Sequence, residues 1–189
     1  MRRGSDQVLG GLADLPIAVF QRPRQGGVDL GPVASEQHRS RVDSYIRVGI
    51  EEGARVVAGG AGKPTGIDRG YYVRPTVFSN ADNEMRIARE EIFGPVAVLL
   101  SYRTEDEAVA TANDTAYGLS GAVWSSDEDH ATSVAARIDA GQVLINGARS
   151  PGITPFGGVK QSGYGSEGGR FGVEEFLAYK TLHHRAATS

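Results

Sequence analysis

The 189-residue chain contains no cysteine. That absence excludes disulfides, zinc–thiolate centres and any mechanism whose nucleophile is a thiolate of this chain. The four histidines do not make up the deficit as metal ligands. His183 and His184 are adjacent near the C-terminus, His38 and His130 stand apart in helix-like stretches, and a metal needs clustered donors. All four read as solvated or structural. Long apolar runs are also missing: no stretch of roughly 18 apolar residues occurs, so no membrane span is expected. The opening MRRGSDQVLGGLADLPIAVF begins basic and turns apolar, but Asp6 and Asp14 interrupt it and no small-residue cleavage site follows. A secretory signal is therefore not expected, and the cytoplasm is the default location. Charge of one sign is lacking too. A net charge of -3, with 20 basic residues spread along the chain, leaves no electrostatic case for nucleic acid or an anionic membrane as partner.

What is present is an ordinary globular composition, 40% hydrophobic and 23% charged, at a length that suits one sizeable domain. Residues 35–52 place Val42, Tyr45, Ile46 and Ile50 at helical spacing, with Gly49 as an oddity inside the pattern and Gly53 as a stop. ARVVAGG reads as a short strand ending in a glycine turn, and residues 61–70 as turn chemistry. YYVRPTVF at 71–78 reads as a strand in which Pro75 demands an edge or a bulge. Val96–Tyr102 is an apolar run of strand length. Thr104 and Glu107 form a capping box for a helix with Ala108, Val109 and Ala112 on its apolar face and Gly118 at its end. LSGAVWS at 119–125 is a strand, and Ser125 and Glu128 form a second box-like pair. Ala131, Val134, Ala135 and Ile138 line a second helix that Gly141 closes, and QVLIN at 142–146 is a third strand. Strand, helix, strand, helix, strand of this kind argues for an α/β fold with parallel βαβ units. In such sheets ligands collect beyond the C-terminal ends of strands, where Asn146 and the loop ARSPGITPFGG lie.

Glycine is the compositional outlier at 26 residues, many of them between 141 and 172. Gly163-Tyr164-Gly165-Ser166-Glu167-Gly168 fits G-x-G-x-x-G, but no buried strand precedes it and no acid follows at the spacing a dinucleotide site needs. It reads as a structural loop. No P-loop is present, and neither Ser150 nor Ser162 sits in a nucleophile elbow. REEIFGPV, residues 89–96, is different. Adjacent acids in an extended segment point to opposite faces, so Glu90 and Glu91 need not share a proton. One can pair with Arg86 or Arg89 while the other turns to a ligand. A carboxylate is acceptor-only and suits two ribose hydroxyls, and in an extended stretch Phe93 shares a face with Glu91. A structural role and a nucleotide-binding role are both open on these grounds.

Taken together, Leu30-Gly31-Pro32, EEGARVVAGG, RGYYVRPTVF, EEIFGPV, ANDTAYGLSGAVW, INGARS, PFGGVKQSGYG and EEFLAYKT resemble, in order and spacing, the C-terminal part of the aldehyde dehydrogenase superfamily, from about Val28 to about Thr181. The resemblance implies the parallel α/β sheet of that family's catalytic domain, truncated, over residues 28–172. It implies a divergent N-terminal segment over 1–27 and an oligomerisation strand with a tail over 173–189. In the first segment SDQVLGGLADL is similar to the family helix that follows the cysteine, while PIAVFQRPRQGG departs from the pattern.

Members of the family oxidise aldehydes to carboxylic acids with NAD or NADP: a cysteine thiolate attacks, hydride leaves to the nicotinamide, and water hydrolyses the thioester with help from a glutamate. The cysteine, that glutamate, the oxyanion-stabilising asparagine and the cofactor domain have no counterpart in these residues. The resemblance makes Glu91 the acceptor for the nicotinamide ribose, Phe93 the aromatic beside ribose and ring, and Phe156 a wall where cofactor and substrate tunnel meet. It places Asn146 and residues 147–154 at the substrate entrance and makes Glu167 a proton-relay glutamate. The expectations that follow are a chain inactive alone and unable to hold the cofactor by itself. It acts as part of an aldehyde dehydrogenase, as one chain of a split enzyme, or as a non-catalytic module assembling with itself or with full-length relatives.

Overall fold

The computed structural model describes residues 30–185, so the segment SDQVLGGLADLPIAVFQRPRQGG and the last four residues lie outside the described residues. The chain divides into two compact units, one ending at Ser101 and the other beginning at Tyr102.

The first unit is built on helix α1, Glu36–Glu51, which starts where the sequence predicts because the Ser35 side chain accepts the His38 amide hydrogen bond at 3.1 Å. Val42, Asp43, Tyr45, Ile46 and Gly49 form its buried face. Gly49 is explained by a close approach: a Cβ there would stand 2.8 Å from Ile87 Cδ1 and 3.1 Å from Phe78 Cζ. The helix tolerates the roughly 1 kcal/mol propensity cost of glycine because the sheet packs against it at that point. Strand β1, Arg55–Ala58, pairs antiparallel with β2, Thr76–Ser79, and the register slips between Val56 and Ala58. β2 also pairs parallel with β3, Val96–Val98, with Thr76 opposite Val96. β2 is thus the central strand. The expected strand over 71–78 shortens to 76–79, and Pro75, which has no N–H to give a ladder, stands just before it. The bulge falls on β1 instead. β3 is likewise shorter than its apolar run, extended by the Leu99 amide donating to the Phe78 carbonyl at 2.9 Å. One-turn helix α2, Arg86–Arg89, leads into the REEIFGPV turn. Eight buried side chains make one core: Val42, Tyr45, Ile46, Ala54, Val73, Phe78, Ile87 and Ile92.

The second unit opens with helix α3, Glu105–Asn113. Thr104 Oγ1 accepts from the Glu107 amide at 3.1 Å, but the Glu107 carboxylate takes the Arg103 amide at 2.9 Å, closing the box one residue further out than expected. Val109 is buried and Ala112 is exposed. Gly118 does not end this helix; it lies in β4, Tyr117–Gly118, antiparallel to β7, Val159–Lys160. Strand β5, Ser120–Val123, runs through helix α4, Glu128–Ala135, to parallel strand β6, Gln142–Ile145. This βαβ unit is the one its sequence pattern predicts. Asp127, not Ser125, caps α4 by accepting the His130 amide at 3.0 Å, and Ser125 accepts from the Asp127 amide at 3.1 Å. α4 stops at Ala135, six residues before Gly141.

A short helix α5, Gly169–Glu174, precedes residues 175–185, which carry no strand. The expected C-terminal strand therefore has no ladder within the described chain, because an extended segment becomes a strand only against a partner for its amides and carbonyls. The chain as a whole is a truncated α/β fold with parallel pairs β2·β3 and β5·β6. No helix among the described residues is long and apolar enough to cross a membrane.

Candidate functional site

The expected site residues divide between the two units, Glu91 and Phe93 in the first and Asn146, Phe156 and Glu167 in the second. In the first, the two neighbouring acids separate sharply. Glu90 is tied down: Arg86 Nε donates to its Oε1 at 2.9 Å, Arg86 Nη2 to its Oε2 at 3.3 Å and the Tyr45 hydroxyl to Oε2 at 2.5 Å. The Arg86 guanidinium first, then the Tyr45 hydroxyl, holds the Glu90 carboxyl down to about 2 against the opposing effect of desolvation. Arg41 and Arg86 both stand over the Tyr45 ring, at 5.4 and 5.6 Å from its centroid. The acid thus forms part of a packed ionic and aromatic cluster.

Glu91 is exposed, and only its backbone is engaged: its carbonyl accepts from Arg41 Nη2 at 2.8 Å. Its carboxylate has no hydrogen-bond or ionic partner among the described residues. Phe93 adopts φ 58°, a left-handed conformation that costs a non-glycine residue about 1–2 kcal/mol. The residue is 68% exposed. The strain is held by the rest of the unit, since the Phe93 carbonyl accepts from His38 Nε2 at 2.6 Å. Glu91 and Phe93 line a concave pocket of about 430 Å³ whose other walls include Ile87, Val96, Val98 and Leu100. No motif marks His38, Arg41 and Tyr45 as neighbours of this turn. The one available signal is their helical spacing, and it does not reveal what their face meets.

In the second unit Phe156 and Glu167 are brought together by an isolated antiparallel bridge, each amide donating to the other's carbonyl at 2.7 Å. Both side chains are exposed, Phe156 by 43%. They border a cavity of about 600 Å³ with Leu119, Gly172 and Phe176. The G-x-G-x-x-G stretch forms one side of it, and the Ser166 amide in that stretch donates to Glu175 Oε1 at 3.2 Å. The loop's amide thus meets a carboxylate of this chain. Asn146 sits just beyond the C-terminal end of β6 at φ 50°. Its Oδ1 accepts from the Ser125 amide at 2.9 Å, which leaves the side-chain NH₂ as the group able to meet a ligand. No hydrogen bond joins Asn146 to Phe156 or Glu167 among the described residues. The loop that follows turns at Gly147, over which the Trp124 ring lies, and Ser150 and Thr154 share a hydroxyl–hydroxyl hydrogen bond of 2.9 Å. Among the described residues no group of three or more His, Asp or Glu side chains is disposed to hold a metal ion.

The aldehyde dehydrogenase family profile matches residues 13–182. A putative aldehyde dehydrogenase of Staphylococcus saprophyticus is 52% identical over 160 residues, which is 85% of this chain and 34% of that protein. Among solved structures, aldehyde dehydrogenase C of Pseudomonas syringae, a mutant in complex with NAD+ and octanal, superposes with TM-score 0.78 at 54% identity, covering 80% of this chain and 31% of that one. A Mycobacterium tuberculosis aldehyde dehydrogenase complexed with NAD+ reaches TM-score 0.87 at 41% identity, covering 97% of this chain and 38% of that one. The chain thus spans about a third of the length of these relatives. By the extent of the family match and by these likenesses, the chain belongs to the aldehyde dehydrogenase family.

Proposed function

We propose that these residues form one wall of the active centre of an NAD(P)-dependent aldehyde dehydrogenase, which oxidises an aldehyde to a carboxylic acid. The thiolate nucleophile, the general base and the dinucleotide-binding domain would come from polypeptide outside them. The observation that carries this reading is the contrast between Glu90, fully engaged by Arg86 and Tyr45, and Glu91, whose carboxylate is exposed without a partner among the described residues beside the outward Phe93 ring. The residues fit a nicotinamide nucleotide. A carboxylate accepts from two ribose hydroxyls, and an aromatic face flanks a planar ring. When bound, the nicotinamide supplies the acceptor for the hydride that leaves the aldehyde carbon. Phe156 would wall off the meeting point of cofactor and aldehyde, Asn146 and residues 147–154 would line the entrance, and Glu167, hydrogen-bonded through its backbone to Phe156, would pass a proton at its carboxylate. The NAD+ in the Pseudomonas syringae and Mycobacterium tuberculosis structures supports the cofactor class.

A second reading, assembly without catalysis, is favoured by one feature. Phe176, Tyr179 and Leu182, at 91%, 87% and 71% exposure, form an apolar C-terminal segment with no strand partner among the described residues. A second copy, a complementary chain or a full-length relative would cover it.

The pure chain, offered an aldehyde with NAD+ or NADP+, is expected to produce no reduced nicotinamide, since it has no thiol. Turnover that tracks with the protein through purification would overturn that expectation. Mixing with polypeptide that supplies the cysteine and the cofactor domain is expected to restore activity. In that complemented enzyme, Glu91→Gln should raise the KM for cofactor about tenfold with a smaller change in kcat, the signature of a lost ground-state contact. An unchanged KM for both Glu91→Gln and Phe93→Ala would refute the wall.

A further inference from the structure

We propose that His38 is a positioning residue of this wall: the imidazole N–H, set in place by the first turn of α1, holds the Phe93 carbonyl and keeps the Glu91–Phe93 turn in its strained form with the ring outward. That the turn faces a cofactor rests on the function proposed above; the clamp itself does not.

Residues 38, 41 and 45 recur at i, i+3 and i+7 and share one face of α1. Each reaches a different part of the turn. Tyr45 donates to the Glu90 carboxylate, Arg41 to the Glu91 carbonyl and His38 to the Phe93 carbonyl. Val42, fully buried, packs against Gly94 between them. The turn is therefore read out along two turns of helix, in reverse order. A carbonyl oxygen only accepts, so His38 Nε2 carries the proton in this contact. His38 is itself anchored, because its backbone amide is the one that the Ser35 cap accepts. Its ring also lies against the Phe93 ring, with centroids 6.1 Å apart and planes 38° from parallel.

The arrangement matters because Phe93 sits at φ 58°. An aromatic residue leaves that region unless its surroundings oppose the relaxation. Arg41 and Tyr45 fix the residues that precede Phe93, and His38 alone of the three engages Phe93 itself. Loss of the His38 donor frees Phe93 to rotate toward an ordinary φ. That rotation moves the ring and changes its relation to the Glu91 carboxylate two residues earlier.

The test is amide hydrogen exchange on the full chain, comparing peptides over residues 90–98 with control peptides over residues 120–145. His38→Ala is expected to accelerate exchange in 90–98 about tenfold and leave 120–145 unchanged. His38→Gln, whose amide N–H reaches the same carbonyl, should return the rate to within about threefold of the original. His38→Phe keeps a ring and loses the donor, so it should behave like the alanine variant. Unchanged exchange in His38→Ala overturns the clamp, as does a His38→Phe variant indistinguishable from the original chain. If His38→Ala loosens the whole first unit, the Gln and Phe pair decides: protection with Gln and not with Phe supports the clamp, and equal behaviour overturns it. Titration of the enzyme complemented with the polypeptide that supplies the cysteine and the cofactor domain, using nicotinamide mononucleotide and followed by NMR of this chain's Glu91 and Phe93 signals, separates the two claims. No perturbation in the original chain refutes the cofactor-facing role while exchange still judges His38. Perturbation that survives His38→Gln and weakens about tenfold in His38→Ala supports both.

Discussion

The two units hold their site residues by opposite means. In the first, Glu91 and Phe93 ride on a turn that is bolted to α1 by three side chains and lies over a core of eight buried residues. In the second, the buried apolar side chains among the described residues are few, Val109 and Ala131. Phe156, Glu167 and Asn146 are instead held by backbone bridges and by side chains that cap strand ends. Exposed aromatic residues concentrate there, from Trp124 at 72% to Tyr164 at 103% and Phe176 at 91%. The candidate residues of the first unit are therefore preorganised by that unit's own packing, which spares a binding group the cost of ordering the protein. The other unit has shape from glycine-rich backbone and leaves apolar area for something else to cover.

The comparison breaks most completely at a backbone contact in the second unit. A Cβ at Gly141 would stand 1.7 Å from the Gly157 carbonyl oxygen and 2.7 Å from its carbon, and neither is a flexible side-chain end. Gly141→Ala is expected to cost at least about 4 kcal/mol, enough to abolish exchange protection over β5 and β6. Protection over β1 and β2 should persist. Loss of protection in both units together would show that the division into two supports is wrong. Next in size is Phe78→Ala, which empties the centre of the first core, where Phe78 is 0% exposed. About 3–5 kcal/mol should be lost, read as a shifted denaturant midpoint for peptides of the first unit alone. Smaller again is the effect on association. The isolated chain is expected to be oligomeric or poorly soluble, and Phe176→Asp should weaken self-association about tenfold or more by removing an exposed aromatic worth about 1.5–3 kcal/mol when covered. Light scattering measures this, and a clean monomer of the original chain without apolar-dye binding would contradict it.

The same contrast decides what the sequence made legible. Helix α1 is legible from its own residues, because Ser35, the apolar spacing and Gly53 are local signals that its packing reinforces. The β5–α4–β6 crossover is legible for the same reason. Boundaries fail where two local signals compete. Asp127 displaces Ser125 as cap because it stands immediately before the first helical residue, and β2 shortens because Pro75 has no N–H to give. The candidate site is legible in part through the REEIFGPV acids and their resemblance to a family. From the residues alone the roles of Glu90 and Glu91 stay open and the resemblance gives the ligand role to Glu91, while the Tyr45 hydroxyl that helps tie Glu90 down comes from 45 residues away and no local pattern marks it. His38 reaches across 55 residues to Phe93, and no pattern within either stretch announces that contact. The oligomerisation strand expected over 173–189 is the converse case: only the resemblance implies it, residues 175–185 carry no strand, and a ladder requires a partner.

The smallest effect sharpens the comparison by pH. Glu90 is lowered from 4.5 to about 2 by Arg86 and Tyr45, all in the first unit. Its folded-state value lies below its ordinary one, so it contributes stability that is fully present above about pH 4.5 and lost as pH falls toward 2. Glu107 in the second unit is also lowered, chiefly by the Arg103 amide and then by its guanidinium, and the sign is the same. Both carboxyls are exposed to solvent, so each effect is modest and shrinks with added salt. Glu90→Gln should lower the stability of the first unit at neutral pH and flatten its acid limb between pH 4.5 and 2, while the second unit keeps its own. Glu107→Gln should do the reverse. The measurement is exchange-detected unfolding of each unit across that range. If one substitution flattens the acid limb of both units equally, the carboxyl serves the chain as a whole and the two supports are not independent. If each acts only on its own unit, the Glu90–Phe93 turn carries its electrostatic anchoring within the first unit, as its hydrogen bonds indicate.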